Sequence, residues 1–81
     1  MKTVKQRLRL NMKSVRQFVS ELNQSNTTDL WYVITDEEDM RINARSMLGM
    51  LYVTDSWDVI YLINETHPGE YLKFMEKYFY R

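Results

Sequence analysis

Few residues in this chain have the types and spacing for chemistry. His67 is the single histidine, and there are no cysteines. That excludes disulfides, thiolate metal sites and multi-histidine metal sites. One histidine with no base or nucleophile marked beside it gives little ground for a Ser-His-Asp triad. The plain role for His67, within Thr66-His67-Pro68-Gly69-Glu70, is a loop residue beside a helix cap. The densest acidic run is Asp36-Glu37-Glu38-Asp39. It lacks the spaced ligands of a Ca²⁺ loop and reads as a hairpin turn. Two glycines and one proline leave little room for a Gly-rich phosphate loop. What remains is Ser46, directly ahead of the apolar run Met47-Leu48-Gly49-Met50-Leu51, and Asn11, ahead of a second apolar pattern. A serine or asparagine there caps a helix. Helix starts also favour anions, because unpaired N–H groups and the dipole point at them.

Charge is uneven along the chain. The first sixteen residues hold Lys2, Lys5, Arg7, Arg9, Lys13 and Arg16 and no acid. The plainer reading is solvated surfaces of opposite sign; the sharper one is a basic patch that meets a phosphate or an acidic partner. Eleven basic residues balance eleven acidic ones, so net charge gives no general reason to expect direct contact with nucleic acid.

These residues need a scaffold, and 81 residues suffice for a single domain over 1–81. Hydrophobic residues at 44% supply one core and argue against a disordered chain. No apolar run approaches the ~18 residues of a membrane span. The start, Met1 to Arg7, lacks the apolar segment of a signal peptide, so the expected setting is the cytoplasm.

Periodicity places the elements. Val4 to Leu10 alternates and reads as a strand. Asn11 then caps a helix whose apolar face is Met12, Val15, Phe18, Val19 and Leu22. Leu30 to Thr35 is a strand by composition, Asp36 to Asp39 a turn, and Met40, Ile42 and Ala44 mark the next strand. Ser46 caps a short helix, Met47 to Tyr52, followed by a turn over Val53 to Asp58. Gly49 inside that helix lowers propensity by about 1 kcal/mol against Ala and suggests close approach by a neighbour. Val59 to Ile63 is apolar on both faces, as in a central strand. Thr66 to Glu70 reads as a helix start, and Tyr71, Leu72, Met75, Tyr78 and Phe79 as that helix's apolar face. The order βαββαβα fits an α+β fold, a four-stranded antiparallel sheet with three helices on one face.

The segment Ile42-Asn43-Ala44-Arg45-Ser46-Met47-Leu48-Gly49-Met50-Leu51 resembles the regulatory-serine segment of HPr, the small phosphocarrier family of the bacterial sugar phosphotransferase system. The family pattern is a β-branched residue, Asn, any residue, Lys, Ser, two apolar residues, Gly and two more apolar residues. Arg45 stands where the lysine is usual. From Asn43 onward the resemblance needs no gap, and the element order is that of the HPr open-faced β-sandwich. The first half departs from the pattern. HPr carriers hold a phosphorylated histidine at the first helix start, in a Gly-apolar-His-Ala-Arg-Pro-Ala run. Matching the apolar faces puts Asn11 at the histidine position, Lys13 at the arginine and Ser14 at the proline.

An asparagine amide cannot carry phosphoryl as an imidazole does. The resemblance therefore implies a non-enzymatic member without the carrier histidine, like the catabolite-repression HPr paralogues, with no cofactor and no metal. It implies phosphorylation of Ser46 by an HPr kinase/phosphorylase and a LacI-type transcriptional regulator as partner. It also implies that Met47, Leu48 and Leu51 form the apolar spot that partners grip. Leu51 is expected in the core and Met47 exposed, with Leu48 open between the two. Lys13 and Arg16, with Arg45, would form a basic rim near Asn11, against the plainer reading of solvated charge. Two alternatives stand beside this. One is a protein-interaction domain in which nothing is phosphorylated. The other is a true phosphocarrier, for which His67 is the available histidine. In an open-faced sandwich one sheet face meets solvent, and Ile60 and Leu62, joined by Tyr32 and Ile34, are expected there. An exposed apolar face of that kind marks an interface, here a homodimer or a partner.

Overall fold

The computed structural model describes residues 3–36 and 40–81. Four strands, β1 (Gln6–Leu8), β2 (Trp31–Ile34), β3 (Ile42–Asn43) and β4 (Ile60–Asn64), form one antiparallel sheet in the order β1-β4-β2-β3. Three helices, α1 (Ser14–Gln24), α2 (Met47–Ser56) and the 3₁₀ helix α3 (Lys73–Tyr78), complete an α+β architecture. The turn at Glu37 to Asp39 lies outside the described residues. Among the described residues no helix is long and apolar enough to cross a membrane.

One core joins all three helices to one sheet face. Val15, Phe18, Val19 and Leu22 of α1 pack with Met50 and Val53 of α2 and Met75 and Tyr78 of α3. They meet Leu8, Trp31, Val33, Ile60 and Leu62 from the sheet. The four buried α1 residues are those of the predicted apolar stripe. Met12 is not; it lies in the turn before the helix and is exposed.

The sheet faces differ from expectation. Ile60 and Leu62 are 6% and 0% exposed and belong to the core, so they are covered by the helices and unavailable to a dimer. Arg7 pairs with Tyr61, which pairs with Ile34, and Ile63 pairs with Tyr32; these side chains share the helix-free face. On β4 the faces are the reverse of expectation, whereas Tyr32 and Ile34 of β2 do lie on the helix-free face, opposite Ile63 and Tyr61. With both faces of β4 apolar, periodicity holds no information about which one meets the helices. Ile34 and Ile63 are nonetheless only 2% and 4% exposed. Each has a tyrosine directly opposite, near enough to shield it.

Two helix boundaries also moved. The expected turn at Val53 to Asp58 is largely helical, since α2 runs to Ser56. Val53, Thr54, Asp55 and Ser56 are weak helix formers, and burial of Val53 overrides that preference. The expected helix start at Thr66 to Glu70 is a turn, in which Gly69 takes φ +88°. Leu72 is still extended, and α3 begins at Lys73. Leu72, Met75 and Tyr78 are three residues apart, the period of a 3₁₀ helix, and Met75 N–H donates to Leu72 O at 3.0 Å. Beyond α3, Arg9 N–H donates to Tyr78 O at 2.7 Å and Tyr80 N–H to Arg7 O at 2.9 Å, so the final residues cover the β1 edge.

The loops at the far end of β4 converge on Asn64, the one buried polar residue among those described. Its Nδ2 donates to Asp29 Oδ2 and to Glu70 O, each at 2.9 Å. Its Oδ1 accepts from the N–H groups of Thr66 at 3.1 Å and His67 at 3.0 Å. Asn64→Leu keeps the volume and removes all four bonds. It is expected to cost about 2–3 kcal/mol in urea unfolding, as buried groups lose their partners. A loss under about 0.5 kcal/mol would contradict this role for Asn64.

Candidate functional site

The residues singled out around Ser46 lie at a corner where β3, α1 and α2 meet. Arg45 N–H donates to Asn43 Oδ1 at 2.9 Å and Ser46 N–H to Asn43 O at 3.0 Å, an asparagine-led turn out of β3. Ala44 is fully buried, and its N–H donates to Trp31 O at 3.0 Å. Ser46 is extended, at φ −84° and ψ 110°, and its Oγ accepts from Gly49 N–H at 3.1 Å. That is a helix N-cap in which the hydroxyl side remains exposed. A Cβ on Gly49 would lie 2.7 Å from Ile42 Cγ2 and 3.1 Å from Ser46 Oγ. The close approach expected from that glycine is therefore made by the β3 side chain.

Arg45 departs from its expected role. Its guanidinium donates to Leu22 O at 3.4 Å and to Thr27 O at 2.9 Å, and Asn23 Nδ2 donates back to Arg45 O at 3.1 Å. A cation on the Leu22 carbonyl, in the last turn of α1, suits the helix dipole. Arg45 thus sits at Leu22 in the last turn of α1, while Arg16 and Lys13 lie toward its start, roughly 9 and 14 Å back along the helix axis. The structure does not gather the three into one rim. Lys13 and Arg16 are exposed, and Arg16 Nε donates to Met12 O at 3.3 Å.

Asn11 does cap its helix. Its Oδ1 accepts from Lys13 N–H at 2.9 Å and Ser14 N–H at 2.8 Å, and Ser14 Oγ accepts from Asn11 N–H at 2.8 Å. This reciprocal pair is a capping box with serine in the place of the acid. Regular helical geometry begins at Ser14, two or three residues later than the cap chemistry.

Beside Ser46 the surface is apolar. Leu48 is 82% exposed, with Met47 and Tyr52 exposed nearby on α2. Leu51, expected in the core, is half-buried against it; Met50 is the residue that reaches inside. The start of α2 is tied to the end of α1 through Arg45, and its far end, at Thr54 and Trp57, borders Leu10. The two helices therefore run antiparallel.

One grouping escaped the sequence reading. His67 Nδ1 lies 3.1 Å from Asp29 Oδ1, 38 residues away in sequence, with Asn64 on the other carboxylate oxygen. The hydrogen bond from Asn64, and after it that from His67, holds the Asp29 carboxyl below its ordinary range. Only the tertiary fold brings these three together. Among the described residues no group of three histidines or carboxylates could hold a metal. On the helix side, Lys77 Nζ donates to Glu21 Oε1 at 2.6 Å and Tyr78 Oη to Glu21 Oε2 at 3.2 Å, tying α3 to α1. The Glu21 hydrogen bond raises the Lys77 ammonium above its usual range; burial does the same to Tyr78.

Comparison with family models, with curated proteins and with solved structures gave no match.

Two measurements test this geometry. Ile42 is β-branched and stiff, so Gly49→Ala is expected to destabilise by about 1–3 kcal/mol, despite the better helix propensity of alanine. The cost should fall sharply in an Ile42→Ala background, as a double-mutant cycle would read. An additive pair would mean that Ile42 is not what excludes the Cβ. For Asp29, a folded pKa below the unfolded value stabilises the fold above about pH 4, and that contribution is lost as pH falls through the folded value. Asp29→Asn is expected to flatten this part of the acid limb in thermal melts; limbs that superpose would remove Asp29 from the account.

Proposed function

We propose that this chain is an HPr-like regulatory module whose switch is Ser46. The observation that carries the reading is the position of Ser46 Oγ, which caps α2 through Gly49 N–H at 3.1 Å and stands beside an exposed Met47 and Leu48. A phosphate on that oxygen adds about −1.5 to −2 charge where the helix dipole favours an anion, next to an apolar strip on which a partner can sit. The four-stranded antiparallel sheet with three helices and the motif from Ile42 to Leu51 support membership of the HPr type. Asn11, at the place of the carrier histidine, serves as a helix cap and not as a phosphoryl acceptor. On this reading the module is cytoplasmic, needs no cofactor and performs no catalysis. Its partners are an HPr kinase/phosphorylase and a LacI-type transcriptional regulator.

A second reading is favoured by the 82% exposure of Leu48. The α2 strip then docks a protein partner with no phosphate involved. One experiment separates the two. The protein is incubated with ATP and an HPr kinase/phosphorylase, and intact mass is read beside a Ser46→Ala control and a known HPr. The expected result is one phosphate on the wild type and none on the control. Ser46→Ala should also lose about 1 kcal/mol of stability with its cap. No phosphate on the wild type while the known HPr is labelled would reduce Ser46 to its capping role and leave the docking strip.

A further inference from the structure

The helix-free face of the sheet carries a second surface, of different chemistry. Arg7, Tyr61 and Ile34 form one row across the strands, and the bond from Tyr80 N–H to Arg7 O sets Tyr80 at its outer end. The Arg7 guanidinium lies 3.9 Å from the ring centre of Tyr80, and that of Arg9 lies 5.8 Å from the same ring. In the next row Arg41 lies 5.9 Å from the ring centre of Tyr32. Rings and cations thus alternate over the face. Next to Ile63 opens a recess of about 360 Å³, lined by Arg41, Val4 and Pro68 among others. Glu65, the acid on its rim, is paired with Arg41.

The occupant follows from this chemistry. An apolar partner gains little, because Ile34 and Ile63 are already covered. An acidic peptide would use the guanidiniums and leave the rings idle. A strand of nucleotides uses both, with phosphates on the arginines and bases on the tyrosine faces now covered by cations, arginines over Tyr80 and Tyr32 and Lys5 over Tyr61. We infer that this face binds single-stranded nucleic acid. Arg7 and Arg9 meet phosphates, Tyr32, Tyr61 and Tyr80 stack bases, and the recess beside Ile63 admits one base. Net charge concealed the surface, because the balance of eleven and eleven is a sum over the whole chain. Two cations of the acid-free stretch, Arg7 and Arg9, stand together at one edge of this face.

Amide-resolved NMR titration with oligouridine and oligothymidine, each about eight nucleotides long, tests the inference on the wild-type chain. Inorganic polyphosphate of similar charge serves as the comparison. Shifts are expected along β1 and β4 and at Tyr80, and the affinity should fall with salt at a log–log slope near −1.4 for two phosphate contacts. Tyr80→Leu and Tyr61→Leu should each weaken oligonucleotide binding about tenfold, and Arg9→Gln should flatten the salt slope. The inference is overturned by absence of shifts at about 1 mM oligonucleotide, above the usual non-specific range. It is also overturned by shifts confined to the start of α2, by polyphosphate binding as tightly as the oligonucleotides, or by folded tyrosine variants that bind like the wild type.

Discussion

The first turn of α2 lies so close to β3 that residue 49 has no room for a Cβ, since that atom would meet Ile42 Cγ2 at 2.7 Å. Much of the candidate site depends on this contact. It seats the α2 start on the strand end, which aims Gly49 N–H at Ser46 Oγ and leaves the other side of the hydroxyl open. With α2 so placed, Arg45 reaches the Leu22 carbonyl in the last turn of α1 and the Thr27 carbonyl beyond it, and the two helices lie antiparallel over the sheet. Each residue from Ile42 to Ser46, with Gly49, therefore has a structural partner. The motif is a folding device whether or not its serine is modified, and the exposed strip on α2 is a consequence of its geometry.

A second joint closes the opposite end of the molecule. Asn64 leaves the sheet buried, with four hydrogen bonds into three stretches of chain, and it fixes the Asp29 carboxylate against His67. Buried amides of this kind are favourable only when every polar atom is matched. The turn it organises, with Gly69 in the left-handed region, delays the last helix until Lys73. The short 3₁₀ segment then suffices, because a residue every third position already faces the core.

The two sides of the sheet follow different rules. The helix side is closed by packing among Phe18, Trp31, Met50 and Met75. The other side has no helices and protects Ile34 and Ile63 under tyrosines, with arginines and Lys5 set over the rings. Such pairs shield apolar surface while keeping charge in water, because the stems of long cationic side chains cover carbon and their heads stay solvated. One small domain thereby presents an apolar strip on its helices and a cationic, aromatic surface on its sheet.

Element identity and order were legible from local patterns. The α1 stripe, the strand at Trp31 to Ile34, the serine cap at Ser46, the asparagine cap at Asn11 and the tight packing at Gly49 rest on periodicity, capping chemistry and backbone sterics, all of which act over a few residues. Their outcome scarcely depends on distant parts of the chain. What tertiary structure decided are the choices that local patterns leave degenerate. Ile60 and Leu62 turned toward the helices because β4 is apolar on both sides, and only the position of the helices breaks the tie. Val53 stayed helical because its burial outweighs its propensity. Arg45 left the expected rim because the fold brings it to the carbonyl of Leu22 in the last turn of α1, 23 residues away in sequence, and to that of Thr27 in the loop beyond. Asp29 and His67 met because Asn64 holds both loops at one strand end, a contact no sequence spacing can announce.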